Sequence, residues 1–162
     1  MEQNDYELEL AQDFLQKAYR LQLAGHVKEA IKMYERSLDI LPTPEAWAFK
    51  GWAHSFLLDY DTAIKCCKNG IDLDSEYGNN FNDIGAYLIV KGDYEEAIIY
   101  LNQAIECTKY TTPHFPHYNL GRIYERRGDW FEALAEYKKC IDIEPTYEMG
   151  RQSYFKLLGL LN

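Results

Sequence analysis

A small residue followed twelve positions later by alanine occurs four times in this 162-residue chain. The pairs are Ala18 with Ala30, Gly51 with Ala63, Gly85 with Ala97, and Gly121 with Ala133, and successive alanines are 33, 34 and 36 residues apart. A period of this length confines the fold to architectures that stack one supersecondary unit on the next. Two antiparallel helices approach closely only where each carries a small side chain at the crossing. Each pair is therefore read as one helical hairpin. Between the partners lie Gly25-His26, Asp59-Tyr60, Gly92-Asp93 and Gly128-Asp129. Glycine suits a helix C-terminus, and aspartate caps the helix that follows.

With these residues in phase the chain resembles the tetratricopeptide repeat family from residue 11 to about 161. The first copy, about 11–43, carries Phe14, Ala18, Leu21, Ala30, Tyr34, Ser37 and Pro42. The second, 44–77, carries Trp47, Gly51, Ala63, Cys67 and Gly70. The third, 78–111, has Phe81, Ile84, Gly85, Leu88, Ala97, Leu101 and Ala104. The fourth, 114–147, has Leu120, Gly121, Tyr124, Ala133, Tyr137, Cys140 and Pro145. The resemblance implies an all-α fold, a right-handed solenoid of four hairpins in a single domain over 1–162. A capping helix over about 147–161 closes it, because stacked repeats need their last apolar face covered. The chain departs from the family pattern at several places. Lys17 and Lys50 stand where Leu is usual, His54 where Tyr is usual, and His117 where a large apolar residue is usual. Ser75 and Lys109 replace the closing Pro of copies two and three, and two extra residues fall between Thr108 and Pro113.

In the family, the first helix of each hairpin lines an inner wall that binds segments of partner proteins. Helical spacing places Leu15, Gln16, Tyr19 and Leu23 on that wall in copy one, and Phe49, Trp52 and Phe56 in copy two. Asn79, Asn82, Asp83 and Val90 follow in copy three. Phe115, Tyr118, Asn119, Arg122 and Arg126 follow in copy four, and Gln152 and Lys156 in the cap. The wall is aromatic at one end, rich in Asn at its centre and basic at the other end. Aromatics and Arg dominate binding hot spots, and Asn can bond the backbone of an extended ligand. The expected ligand is a segment with apolar anchors toward one end and acidic residues toward the other. An aromatic stripe at helical spacing also suits rings that only cover one another, but Trp47, Gly51, His54 and Leu57 already account for the core face of that helix. Arg122 and Arg126 also suit a solvated face with partners such as Glu125.

The net charge of −9 opposes nucleic-acid and anionic-membrane binding, both of which need cationic surface. The acidic start has no basic-then-apolar pattern, and no apolar run approaches a membrane span, so a soluble cytoplasmic protein is expected. Cys66, Cys67, Cys107 and Cys140 form no CxxC and read as small core residues in a reducing compartment. His114-x-x-His117 with Cys107 is the one metal-like cluster, and it lacks a fourth ligand. No phosphate loop, HExxH or nucleophile elbow is present, so neither catalysis nor a cofactor is expected.

Family members that clamp the C-terminal Asp of heat-shock chaperones use Lys, Asn and Arg. At the corresponding places this chain has Leu15, Tyr19, Phe49, Asn79 and Asp83 in one frame. In the other it has Ala48, Trp52, Asp83, Phe115 and Asn119. Neither set fits such a clamp. The function implied is a protein-interaction adaptor. The alternatives are a homo-oligomeric scaffold that assembles through Leu157, Leu160 and Leu161 of the terminal helix, and a small acidic secretion-type chaperone.

Overall fold

The computed structural model describes residues 2–161, with side chains from Asp5 onward. Met1 and Asn162, the ends of the expected domain, lie outside the described residues. Among these there are nine α-helices and no strands. The helices are α1 (Glu2–Leu23), α2 (Val27–Ile40), α3 (Pro44–Phe56), α4 (Tyr60–Leu73), α5 (Gly78–Lys91), α6 (Tyr94–Glu106), α7 (His114–Arg127), α8 (Trp130–Ile143) and α9 (Glu148–Leu161). Each odd helix from α1 to α7 packs most extensively on the even helix after it, which makes four hairpins, and α9 packs on α8. The first helix starts well before residue 11. Ala11 is buried and its carbonyl accepts from Ser37 Oγ at 2.8 Å, near the end of α2. The turns before Ala11 run past that partner and leave Tyr6 and Leu8 exposed.

The twelve-residue offset does mark the helix crossing. A Cβ at Gly51 would lie 2.9 Å from the carbonyl oxygen of Ala63, and one at Gly121 would lie 2.5 Å from the ring of Tyr137. Four residues beyond each alanine stand Tyr34, Cys67, Leu101 and Tyr137, all completely buried. Where this residue is Tyr, its hydroxyl donates to an acceptor four residues beyond the small residue of the first helix. Tyr34 reaches Gln22 at 2.8 Å and Tyr137 reaches Glu125 at 2.7 Å. Tyrosine and acceptor thus occur together in the first and last hairpins, because a buried hydroxyl costs free energy unless it is paired.

The turns show why glycine recurs. Gly25, Gly92 and Gly128 have φ of 85°, 88° and 81°, the left-handed region that glycine enters at no steric cost. The second hairpin has Leu58 at this place, with φ 61° and a mostly exposed side chain. Leu58→Gly is expected to stabilise the chain by about 1 kcal/mol, because a leucine pays a steric cost there that glycine does not. A thermal melt should show this as a rise of about 2–4 °C for a chain of this size. The expected aspartate caps form in part. Asp59 Oδ1 accepts from Thr62 N at 3.2 Å, whereas Asp93 and Asp129 occupy the cap position without a side-chain hydrogen bond.

The odd helices also touch one another in succession, α1 with α3, α3 with α5 and α5 with α7. Successive even helices are at most marginally in contact. The stack therefore bends with its first helices on the inner side. Around the extra residues after α6 the chain folds back onto the α4–α5 turn. Thr108 N and Oγ1 both donate to Glu76, and Lys109 Nζ pairs with Asp74 at 2.7 Å. Two of the departures from the family pattern are locally compensated in the same way. Lys50 pairs with Glu35 at 3.0 Å over the Trp47 ring, and His117 Nδ1 meets Glu136 at 2.7 Å.

Candidate protein-binding groove

The inner side carries three depressions in chain order. The first, about 350 Å³, lies between α1 and α3 and is lined by Leu15, Gln16, Tyr19, Arg20, Glu45 and Phe49. The rings here form a continuous series. Tyr19 meets Phe49 edge-on at 5.4 Å and Trp52 at 6.2 Å, and Trp52 meets Phe56 edge-on at 5.3 Å. Phe49 also stacks on the buried Tyr34 at 6.1 Å. The inner rings do cover one another, yet Phe56 and Tyr19 stay exposed, at 53% and 39%. The expected core face of α3 needs correcting. Gly51 is buried and Trp47 and His54 are half-buried, but Leu57 is exposed, because α3 ends at Phe56 and Leu57 has already left the helical face. Ala46 and Ala53 fill the core there instead.

The second depression, about 340 Å³, is shared by α3, α5 and α7. Ala48, Phe49, Trp52, Tyr77, Asn79, Asp83 and Phe115 line it. Asp83 is half-buried in its wall. Burial pushes its pKa up to about 7, against the smaller opposing effect of a hydrogen bond from Asn82. Burial likewise raises Tyr77, to about 12, with Glu45 and Asp83 adding to the shift. The expected row of open asparagines is corrected at two of its three positions. Asn79 does face this depression, but Asn82 and Asn119 are both buried. They join α5 to α7 in a directed chain. Arg122 Nη1 donates to Asn119 Oδ1 at 3.0 Å, Asn119 Nδ2 donates to Asn82 Oδ1 at 3.0 Å, and Asn82 Nδ2 lies 3.4 Å from Asp83 Oδ1. Their amides are spent on each other because α5 and α7 pack together directly.

The third depression, about 440 Å³, has Tyr118, Arg122, Glu125, Arg126, Trp130, Tyr137 and Ser153 around it. Arg122 lies over the Tyr118 ring at 5.9 Å. Arg126 is paired not with Glu125 but with Tyr94, lying over its ring at 6.0 Å and donating to its hydroxyl at 3.2 Å. Glu125 accepts from Tyr137 and lies 3.9 Å from Lys156. Tyr77, Trp130 and Tyr94 were not expected at the groove. Helical spacing within the first helices could not reach them, since each stands at the entry to a helix and is placed by the turn before it.

The terminal helix packs differently from the expectation. Leu157 and Gly150 are buried and Tyr154 packs beside Tyr137, but Phe155 and Leu160 are 57% and 71% exposed. Leu157 therefore packs within the chain, Leu160 and Leu161 stay exposed, and Phe155 borders Ile141 and Asp142 of α8. The histidines do not converge. His114 packs on Phe115 and Tyr147, at 4.1 Å and 5.0 Å, while His117 holds Glu136. Among the described residues no three His, Cys, Asp or Glu side chains are grouped to hold a metal. No described helix is long and apolar enough to cross a membrane.

Four stacked hairpins with small residues at each crossing define a helical-repeat interaction fold, and sequence comparison agrees. Sequence models of the tetratricopeptide repeat match residues 44–77, 81–107 and 114–147, more than half of the chain. The chain belongs to the tetratricopeptide repeat family. Protein bimA of Emericella nidulans is 27% identical over 105 residues, covering 64% of this chain and 13% of bimA. Tetratricopeptide repeat protein 16 of Mus musculus is 25% identical over 158 residues, covering 85% of this chain and 19% of that protein. The chain therefore spans less than a fifth of the length of either relative. The solved structure of pilF from Pseudomonas aeruginosa superposes with a TM-score of 0.86 at 20% identity, covering 94% of this chain and 69% of pilF. That likeness is one of fold. Repeats of this family point to protein–protein interaction, and the fold is typically a non-catalytic scaffold.

Proposed function

We propose that residues 1–162 act as one domain, a non-catalytic adaptor that holds a segment of another protein along the inner side of the stack. The observation that carries this reading is the run of three depressions on the odd-helix side. They lead from exposed aromatics through Asp83 to the cations Arg122 and Arg126. Tyr19, Phe49, Trp52 and Phe56 would seat apolar anchors, and Asn79 would bond the segment's backbone. Tyr118, Arg122 and Arg126 would take acidic side chains, since cations on an otherwise acidic chain favour them. Asn82, Asn119 and Asp83 would fix the wall between the two ends. The expression compartment consistent with free, buried Cys66, Cys67 and Cys140 is a reducing one such as the cytoplasm.

The test is affinity capture from the native lysate with wild type and with a Trp52→Glu, Arg122→Glu double variant, checked for equal helicity. Placing charge in the aromatic end and reversing it at the basic end should cut partner recovery by about tenfold or more. Equal recovery of the same proteins by both forms would remove the groove as the binding surface. A second reading, assembly through α9, is favoured by the exposed Phe155 and Leu160 on that helix. It predicts a mass that rises with concentration in light scattering and returns to the monomer value in Leu160→Glu.

A further inference from the structure

We propose that the central depression is an arginine pocket: a guanidinium from the partner segment inserts among Phe49, Trp52, Tyr77 and Phe115 and pairs with the Asp83 carboxylate. This rests on the groove reading and adds a basic residue between the apolar and acidic parts of the expected ligand. Its starting point is a carboxyl group in an unusual setting. Asp83 is half-buried in a largely aromatic wall, and among the described residues the one side-chain hydrogen bond that supports its carboxyl is a long one from Asn82. Among the described residues no Lys, Arg or His forms an ion pair with it. An acid held in such a place at a cost in solvation is relieved by an incoming cation.

The walls select for the same ligand. Aromatic faces attract cations through their quadrupole, and the attraction grows when water is excluded. An acidic side chain would be repelled by Asp83, and a purely apolar one would leave the carboxylate buried and unpaired. Size and shape separate arginine from lysine. A cavity of about 340 Å³ exceeds what a single ammonium fills. A flat guanidinium can stack on rings while donating to Asp83 and to the Asn79 carbonyl oxygen together, and it gives up water more readily than an ammonium. Among the described residues no cation of the chain lines the site. Arg126 is engaged by Tyr94, and Arg122 reaches Asp83 only through Asn119 and Asn82. That relay orients the amide of Asn82 toward Asp83 and holds the carboxylate in place.

The test is a nitrogen–proton NMR titration of the whole chain, following the Trp52 indole assigned with Trp52→Phe. The probes are N-acetyl-arginine methylamide and its citrulline, lysine and norleucine counterparts. The arginine compound should shift the indole saturably, and the other three should bind at least about tenfold more weakly. Asp83→Asn should lose about tenfold for arginine and cease to distinguish it from citrulline. Equal binding of citrulline or norleucine, stronger binding of lysine, an unchanged Asp83→Asn, or no response to arginine would each overturn the pocket. None of these results touches the capture experiment with Trp52→Glu and Arg122→Glu. The groove can thus survive the loss of the pocket, and the two failures are told apart.

Discussion

Asp83→Asn is expected to raise the melting temperature by roughly 5 °C at pH 8 and to leave it nearly unchanged at pH 4. The Asp83 carboxyl has its pKa raised from 3.8 to about 7 by burial. Between those values the folded chain holds the proton while the unfolded chain has released it. Stability therefore falls as pH rises from about 4 to about 7, then levels off once both states are ionised. Full burial would make the cost about 4 kcal/mol. The carboxyl borders the groove and water reaches part of it, so about 2 kcal/mol is the expected difference between variant and wild type at pH 8. Cys67, Tyr77, Tyr87 and Tyr110 face this carboxylate, and burial pushes each of them up. They stay uncharged across the window and do not contribute to its slope. Asp59, Asp74, Glu76 and Glu144, held low chiefly by hydrogen bonds, give the opposite slope at lower pH. They cancel when variant and wild type are compared at the same pH. Parallel melting curves from pH 4 to pH 8 would show that the carboxyl is ordinarily solvated and in no need of a cation.

Tyr137→Ala should unfold the end of the stack and spare its beginning. The ring is completely buried against Gly121, and its hydroxyl donates to Glu125. Removing it leaves a cavity at the closest helix crossing of the last hairpin, at a cost of about 3–5 kcal/mol. Tyr137, Ala133 and Leu157 share one small core cluster, so α9 loses its main support as well. Stacked repeats are coupled mainly to their neighbours, which keeps such damage local. Hydrogen exchange should rise steeply in α7, α8 and α9 while α1 to α4 keep their protection. A uniform rise along the chain would mean that the hairpins melt as one cooperative unit. Tyr137→Phe keeps the ring and should cost only about 1 kcal/mol.

Most of the scaffold can be read from the order of residues, because helix crossings impose a local rule. Ala18, Gly51, Gly85 and Gly121 had to be small wherever a second helix passed twelve residues later, so period and hairpin follow without coordinates. The aromatic stripe of α3 is legible for the same reason: Phe49, Trp52 and Phe56 recur at the spacing of one helix face. Leu58 is less legible. Alignment of the turns shows it standing where glycine stands elsewhere, but only the backbone shows that it adopts glycine's conformation.

What the order of residues does not contain is the distance between faces of different hairpins. Asn82 and Asn119 lie 37 positions apart and look like free groove residues by spacing alone. The close contact of α5 with α7 turns them into a buried link. Asp83 is one more carboxylate in an acidic chain until Tyr77 and Phe115, from a turn and a neighbouring repeat, close around it. Residues on one helix meet by a fixed period, whereas residues on separate repeats meet only through the bend of the stack. That bend is the sum of many side-chain contacts, so the site's chemistry was decided in three dimensions.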